Sequence, residues 1–567
     1  MDDSPKDPKT AGLPYVRSSG MKAISRFLFL ATLVVGFGAC GGGGIDIATD
    51  PPPPLPAQPQ VTVEGKTKQL VFSWAAVGGA GHYRLMENPD GHSGFTQVGD
   101  NIPGGTLTVN RDIAVHLFDW VNAQHTVEAC NVTGCSSSDI VIADDVMLDT
   151  IGYFKASDPS VRWLGIEIAM SENGSALAVV GKRANFDKEI YLFRSDGEAW
   201  YQEAPFENPW GPSFLYDWGD SIALSADGNV FVVGAPNWNA DPGLVVVYRY
   251  SGMEWAREAI LEGSRDSYIV VDEGDYFGEV VALSPDGNTL AITASNAGTV
   301  YVYRFDGSSW HEQSVIEGLG LSLYFGADLA LSSDGNTLAV GANADEIVYS
   351  NVGGEKGAVR VYNFDGTNWT QEAYLKSPGN DFGDNFYRVA LSFDGHTLAV
   401  GASGDDSNAT GMNGDPLDNS DSNSGAIYIY TRNGAGEWSQ QAYIKQSDTW
   451  SQRGIGSYIA LSSDGRTLVS SMADNSSTKG INGDWQDQNS ESSGAVILFR
   501  SDGTNWSEDI YIKASNTDAG DGFGRVALSA DGKTLAVGAV AEDSSATGIN
   551  GDQDDNSAEN SGGVYIY

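Results

Sequence analysis

Seven stretches of the chain carry a serine, a short acid or amide and a glycine at fixed spacing, residue types that could supply a nucleophile, a base or a metal ligand. They are SENGSALAVVG from Ser171, SADGNVFVVGA from Ser225, SPDGNTLAITA from Ser284, SSDGNTLAVGA from Ser332, SFDGHTLAVGA from Ser392, SSDGRTLVSSM from Ser462 and SADGKTLAVGA from Ser529. A catalytic triad does not fit, because each equivalent copy would need its own base. Only His311 and His396 fall in this region, at non-equivalent places. Calcium does not fit either, since one carboxylate per turn cannot supply the six to eight oxygens of a Ca²⁺ cage. Asp-Gly between two apolar runs is instead a hairpin signal. Ser332, Asp334 and Gly335 are therefore expected to shape a turn, with Leu338 and Val340 at alternate positions of the next strand.

A second constellation lies in three acidic insertions, residues 405–425, 474–494 and 542–562, which share the frame G-[MI]-N-G-D-x-x-D. It places Asn413, Asp415 and Asp418, then Asn482, Asp484 and Asp487, then Asn550, Asp552 and Asp555 in equivalent positions. Asn-Gly supplies a positive-φ turn, and two carboxylates three residues apart can converge on one Ca²⁺ with backbone carbonyls completing the shell. The same side chains can equally bond their own backbone in a solvated loop. Trp485 replaces Pro416 and Gln553 in this frame and is a candidate to stack on a ligand; packing on its own sheet is the competing reading. Trp210, Trp218 and Trp238 also lie outside the repeated tryptophan position and could stack on sugar rings.

The elements that position these residues are β-strands. The chain has 567 residues, 41% of them hydrophobic, with 70 glycines, 24 tyrosines and 14 tryptophans. That composition suits pleated sheets and tight turns, and helix-period apolar stripes are scarce. With 32 Lys+Arg against 75 Asp+Glu, the net charge of −43 argues against a nucleic-acid partner. No nucleophile elbow, phosphate loop or zinc motif is present, whereas paired carboxylates for glycoside hydrolysis depend on a separation that only three dimensions define.

The serines of the motif recur on the order of every 50–70 residues, a period that with four short strands per unit indicates a propeller. In residues 324–376 the strands are expected at ADLALS, TLAVGA, AVRVYNF and WTQEAYLK. Six units end on a strand beginning with Trp200, Trp255, Trp310, Trp369, Trp438 or Trp506, but the seventh stops at Tyr567, one strand short. The missing strand is found upstream, where Tyr153-Phe154-Lys155-Ala156-Ser157 matches Tyr511-Ile512-Lys513-Ala514-Ser515. An N-terminal strand that completes the last sheet closes the ring and removes its open edges. The expected fold is all-β: a seven-bladed β-propeller over 147–567, closed by an N-terminal strand and preceded by a small β-sandwich over 59–146.

Ahead of these, MKAISRFLFLATLVVGFGAC from Met21 has basic Lys22 and Arg26, an apolar run, and small residues before Cys40. It has the form of a secretory signal within an upstream segment 1–40, with Met21 as the expected start. The junction resembles a bacterial lipobox, which implies lipidation of Cys40. Residues 41–58, GGGGIDIATDPPPPLPAQ, form an expected Gly/Pro-rich stalk. Cys130 and Cys135 are the remaining cysteines and are expected to pair in an exported chain.

Two further resemblances extend this reading. Trp74 and Tyr83 with VEACNVTGCSSS resemble a fibronectin type III domain, although His125 stands where that family has its corner tyrosine. Phe277-Gly278, Phe325-Gly326 and Phe523-Gly524, together with Gly341-Ala342, Gly401-Ala402, Gly538-Ala539 and Gly234-Ala235-Pro236, resemble the FG-GAP repeats of integrin α-like propellers. The expectation is a non-enzymatic lipoprotein of the bacterial envelope, anchored in the outer membrane through its lipid alone. It would present the propeller for adhesion to a protein or glycan, with assistance from Ca²⁺ as the resemblance implies. The alternative is an exported carbohydrate-active propeller enzyme, a glycoside hydrolase or lyase.

Overall fold

The S-x-D-G stretches are hairpin turns, and one set of bonds recurs at each. In the Ser332 copy, the serine hydroxyl donates to Asp334 Oδ1 at 2.7 Å, the Asn336 N–H donates to the same oxygen at 2.9 Å, and the Thr337 N–H donates to Ser332 Oγ at 2.9 Å. Gly335 follows with φ of 62°, a left-handed position that needs glycine. The buried serine thus satisfies a strand-end N–H that would otherwise have no partner. Ser225, Ser284, Ser392, Ser462 and Ser529 make the same pair of bonds, and Ser171 makes them with Asn173.

The computed structural model describes residues 51–183, 187–203, 205–206, 208, 217–236, 243–263, 275–318, 324–343, 357–379, 383–447 and 452–567. Among them the fold is all-β, with short 3-10 turns and no α-helix. Seven four-stranded antiparallel sheets follow one another, numbered here 1 to 7 in chain order. Their first strands are Val161–Met170, Ser221–Leu224, Phe277–Leu283, Phe325–Leu331, Phe386–Leu391, Ile459–Leu461 and Phe523–Leu528. Each first strand packs against the next, and that of sheet 7 packs against that of sheet 1, consistent with a β-propeller. Sheet 7 takes its fourth strand from upstream: Gly152–Phe154 pairs with Gly563–Ile566, with Tyr153 opposite Tyr565.

The hairpins also bond to one another. The Asn173 N–H donates to the Ala226 carbonyl, Ala226 to Pro285, Ser333 to Phe393, Phe393 to Ser463, Ser463 to Ala530, and Ala530 to Glu172. One residue per turn, and both Glu172 and Asn173 in sheet 1, therefore build a hydrogen-bonded girdle around one end of the ring. The link from Pro285 toward Ser333 is the gap, since proline has no N–H. At the periphery, indole N–H groups tie sheets 2 to 6 each to its predecessor: Trp255 to Glu203 at 2.6 Å, Trp310 to Glu258 at 2.9 Å, Trp369 to Gln313 at 3.1 Å, Trp438 to Glu372 at 3.2 Å and Trp506 to Gln441 at 3.4 Å.

Upstream lie a three-stranded sheet (Val61–Lys66, Gln69–Trp74, Thr108–Asp112) and a five-stranded one that includes His82–Asn88 and Gln124–Cys130. Leu70, Phe72, Trp74, Tyr83, Leu85 and Val127 are buried in a core that continues into Val469, Leu498, Ile510, Phe523 and Tyr565 of sheets 6 and 7. Trp74 and Tyr83 meet with ring centroids 5.1 Å apart, and Cys130 and Cys135 form a disulfide. His125 is buried against Phe72 and Phe118 with Glu87 at 3.6 Å, filling its place by aromatic packing. Lys68 reaches into sheet 7, donating to Thr534 Oγ1 at 2.6 Å and to the Lys533 carbonyl at 2.7 Å; burial pushes its ammonium down to about 8. The signal segment and Cys40 lie outside the described residues, among which no helix is long and apolar enough to cross a membrane.

Candidate functional site

The end of each first strand opposite its hairpin is a corner, and the corners repeat a backbone shape while varying a side chain. At the corner of sheet 4, Gly326 adopts φ of 91°, and the register with the second strand slips between Phe325 and Asp328. Equivalent slips fall between Arg162 and Glu167, Phe277 and Val281, Phe386 and Arg388, and Phe523 and Arg525. A bulge inserts an unpaired residue and re-aims its neighbour. The polar residues at or just after the corners are Glu167, Asp220, Glu279 and Asp328 on sheets 1 to 4, then Arg388, Tyr458 and Arg525 on sheets 5 to 7. Because first strands surround the axis, the position four residues before each hairpin serine recurs as a ring: Glu167, Asp328, Arg388, Tyr458 and Arg525 hold it in sheets 1 and 4 to 7, Ser221 and Val280 hold it in sheets 2 and 3, and Asp220 and Glu279 lie one residue earlier.

These residues make specific contacts. Arg525 Nη1 donates to Glu167 Oε2 at 3.3 Å, and its guanidinium lies 4.1 Å from the Tyr458 ring centroid. Arg388 lies 5.3 Å from the same ring and 5.2 Å from that of Tyr387, with Asp328 Oδ2 at 4.0 Å. Asp328 also accepts the N–H groups of Val389 and Leu329, each at 3.0 Å. Asp220 pairs with Lys188, and Glu279 accepts the Ser295 hydroxyl.

Burial at the ring centre pushes Glu167 up to about 7, against the opposing pull of Arg525, and raises Asp328 as well. Yet 33% of the Glu167 side chain and 22% of that of Asp328 meet water. Protein encloses these groups without sealing them, which suits carboxyls that exchange protons with a ligand. A carboxyl near 7 can donate or accept a proton at neutral pH, and the two guanidiniums can hold an anionic group beside it.

The residues singled out from sequence lie away from this ring. Asn413, Asn482 and Asn550 take positive φ, and each accepts a backbone N–H from a fourth strand at 3.0 Å, that of Tyr443, Tyr511 and Tyr153 respectively. Asp415, Asp484 and Asp552 accept the N–H two residues on, at 3.0, 3.0 and 3.1 Å. Asp418 accepts Ser420 N–H, while Asp487 and Asp555 take Ser477 and Ser545 hydroxyls that hold them below the usual carboxylate range. Among the described residues, the one group of three acid, histidine or cysteine ligand atoms within 4.8 Å is Glu128, Cys130 and Cys135, and both its sulfurs are spent in the disulfide. Trp485 is half-buried, 5.8 Å from Arg453, beside an open groove of about 660 Å³ lined by Glu508, Asp509 and Tyr511. Trp218 is fully buried and unavailable for stacking, and Trp210 and Trp238 lie outside the described residues. His311, exposed on the strand Trp310–Glu317, and His396, in a surface turn, lie against Asp306 and Asp394.

What clamps the insertions was not anticipated. Lys445, Lys513 and Lys155, each directly after a fourth strand, are buried against Asp405 at 3.2 Å, Asp474 at 3.4 Å and Glu542 at 2.6 Å. Each also donates to a buried serine at the far end of its insertion: Ser424, Ser493 or Ser561. The signal in the sequence was a lysine directly after two apolar residues, in YIK or YFK. For the axial ring, the signal was the polar residue following each corner.

No family model and no curated protein matches the chain. Solved structures similar to it include the periplasmic gluconolactonase of Pseudomonas aeruginosa, at 15% identity over 77% of this chain and 98% of that one, with a TM-score of 0.40. A protein from Lactobacillus plantarum is similar at 14% identity over 77% and 98%, TM-score 0.40, and a putative 6-phosphogluconolactonase from Bacteroides uniformis at 14% over 67% and 89%, TM-score 0.39. Overlap at this level carries no argument about chemistry. The FG-GAP, integrin α-like resemblance is corrected: no such family matches, and the neighbours include lactonase-type proteins. The glycines that suggested it have a local physical cause. Gly234, Gly341, Gly401 and Gly538 on second strands press against the corner carbonyls of Gly278, Tyr387, Gly456 and Gly165 on the next sheet, where a Cβ would overlap backbone. Sheets packed this closely around an axis call for such glycines whatever the family.

Proposed function

We propose that the chain is an exported, lipid-anchored β-propeller enzyme that hydrolyses an acidic saccharide at the corner end of its axis. Its seven sheets are the blades, over residues 147–567; the two upstream sheets are a fibronectin type III-like module over 59–146, and Cys40 carries the lipid in the bacterial envelope. Glu167 supports this reading most: its carboxyl is raised to about 7 beside Arg525, across a ring that also holds Asp328 and Arg388. Glu167 acts as the general acid and Asp328 is the second carboxylate, in the two-carboxylate scheme of glycoside hydrolysis. Arg388 and Arg525 hold the substrate's carboxylate, and Tyr458 stacks between them.

The test is a substrate panel of uronate-containing oligosaccharides and neutral aryl glycosides, assayed for new reducing ends with the full chain and with Glu167→Gln. Turnover of the acidic substrates that vanishes in the variant supports the proposal; conjugated double bonds in the products would assign elimination in place of hydrolysis. A second reading, adhesion to a surface protein or glycan, is favoured by the Trp485 groove, and glycan binding without turnover would select it. Ca²⁺ binding in the insertions remains a proposal within that reading. A melting temperature that Ca²⁺ leaves unchanged would remove it, because a ligand of the folded state raises stability.

A further inference from the structure

The peripheral tryptophans follow a rule that breaks once. In sheets 2 to 6 the first residue of the fourth strand is a tryptophan whose indole N–H is tied to a Glu or Gln of the preceding sheet. Trp200 holds the same position in sheet 1, but the preceding sheet there is the seam sheet, whose fourth strand is the short Gly152–Phe154. That strand offers no acid or amide, and among the described residues Trp200 donates to none. Its ring is held edge-on by Phe154 at 5.3 Å and faces a cavity of about 630 Å³. The cavity forms where the upstream module meets the seam, with Asp112 and Asp149 on one wall and Asn173, Asn550 and Gln553 on the other.

From these residues we infer that the seam cavity is a binding site for a short neutral oligosaccharide, independent of the axial ring. Several observations select that class. The volume falls in the range of small-molecule sites, and a junction between modules is a common location for one. Lys68 also lines the cavity but has committed its ammonium to Thr534, Lys533 and Tyr567, so it is not free to recruit an anion. Asp112 Oδ1 is taken by Gln69, the Asn173 amide oxygen by Ser171 and Ser175 and that of Gln553 by Ser515, which leaves Asp112 Oδ2, the Asp149 carboxylate and the Asn173 and Gln553 NH2 groups for sugar hydroxyls, beside an aromatic face suited to the C–H face of a pyranose. The N–H left over by the broken rule supplies one donor for a ring or hydroxyl oxygen. Asn550 is fixed by the Tyr153 N–H and by Thr67, so the wall is set before a ligand arrives.

The experiment titrates the full chain with maltose, cellobiose, lactose and N,N′-diacetylchitobiose, by calorimetry and tryptophan fluorescence, alongside Trp200→Ala, Trp200→Phe and Trp485→Ala. The inference expects saturable binding of at least one sugar, weakened about tenfold or more in Trp200→Ala and unchanged in Trp485→Ala. Trp200→Phe retains a stacking face, loses the N–H, and is expected to fall between, which keeps the test valid should the alanine variant fold poorly. Absence of binding by every sugar, or binding that survives both Trp200 substitutions, overturns the inference. Loss in Trp485→Ala alone would also overturn it, by placing the sugar in the other groove.

Discussion

The two ends of the same first strand differ in what they repeat. At the hairpin end, serine, Asp or Asn, and glycine recur almost residue for residue, and their polar groups are spent on the turn and the girdle. At the corner end the backbone bulge recurs while the side chain changes from Glu167 to Asp328 to Arg388 to Arg525. Repetition of a residue marks a structural requirement shared by every sheet. Variation at a fixed backbone position marks a place where the sheets do different things.

Substitutions at the two ends should therefore have opposite signatures. The largest expected effect is on turnover: Glu167→Gln should lower kcat on the order of 10²–10⁴-fold in steady-state assays. Glu172, at the hairpin end, is also pushed up to about 7 by burial but faces no guanidinium, and Glu172→Gln should leave kcat unchanged. Next in size is the insertion clamp. Asp474→Ala strips the carboxylate from beside the buried Lys513 ammonium and should cost ~3–5 kcal/mol in denaturant unfolding, far more than an exposed acid elsewhere. Ser332→Ala removes two bonds of a buried turn and should cost about 1–2 kcal/mol while kcat is retained.

Glu167→Gln should also stabilise the fold. The folded carboxyl is pushed up to about 7 from the ordinary glutamate value of 4.5, so ionising it in the fold costs free energy. That cost is absent below 4.5, grows as pH rises between the two values and is complete above 7. The variant should gain roughly 1 kcal/mol over the parent above pH 7, a figure reduced for the water that reaches the side chain, and the gain should vanish as pH falls to 4.5. Smallest of all, Pro285→Ala restores a girdle N–H and should shift the melting temperature by no more than the equivalent of ~1 kcal/mol.

The ring architecture was legible because its signals are local or periodic. Asp-Gly turns, the repeated tryptophan and the Tyr153-Phe154-Lys155 match each appear in a few consecutive residues, and the seam pairing follows from chain order. The axial site was not, for two reasons. A bulge breaks the two-residue alternation that tells which side chain faces inward, and the partners of Glu167 lie on sheets far along the chain, at Arg388 and Arg525. The insertions carried two readings at once. Their Asn and Asp frame has the residue types both of a cation loop and of a self-bonded one; in the structure the asparagines accept strand N–H groups, Asp415 and Asp484 accept N–H groups of their own turns, and Asp487 and Asp555 accept serine hydroxyls. The glycines at the corners and second strands suggested a family when they report only how closely adjacent sheets approach.

The central claim is that the corner end holds a carboxyl poised near neutrality. Infrared difference spectra between the parent chain and Glu167→Gln, recorded across a pH titration, isolate that one carboxyl stretch. The account predicts a protonated band that disappears with a midpoint near 7 and is missing in the variant. A midpoint at the ordinary glutamate value of 4.5 would contradict it.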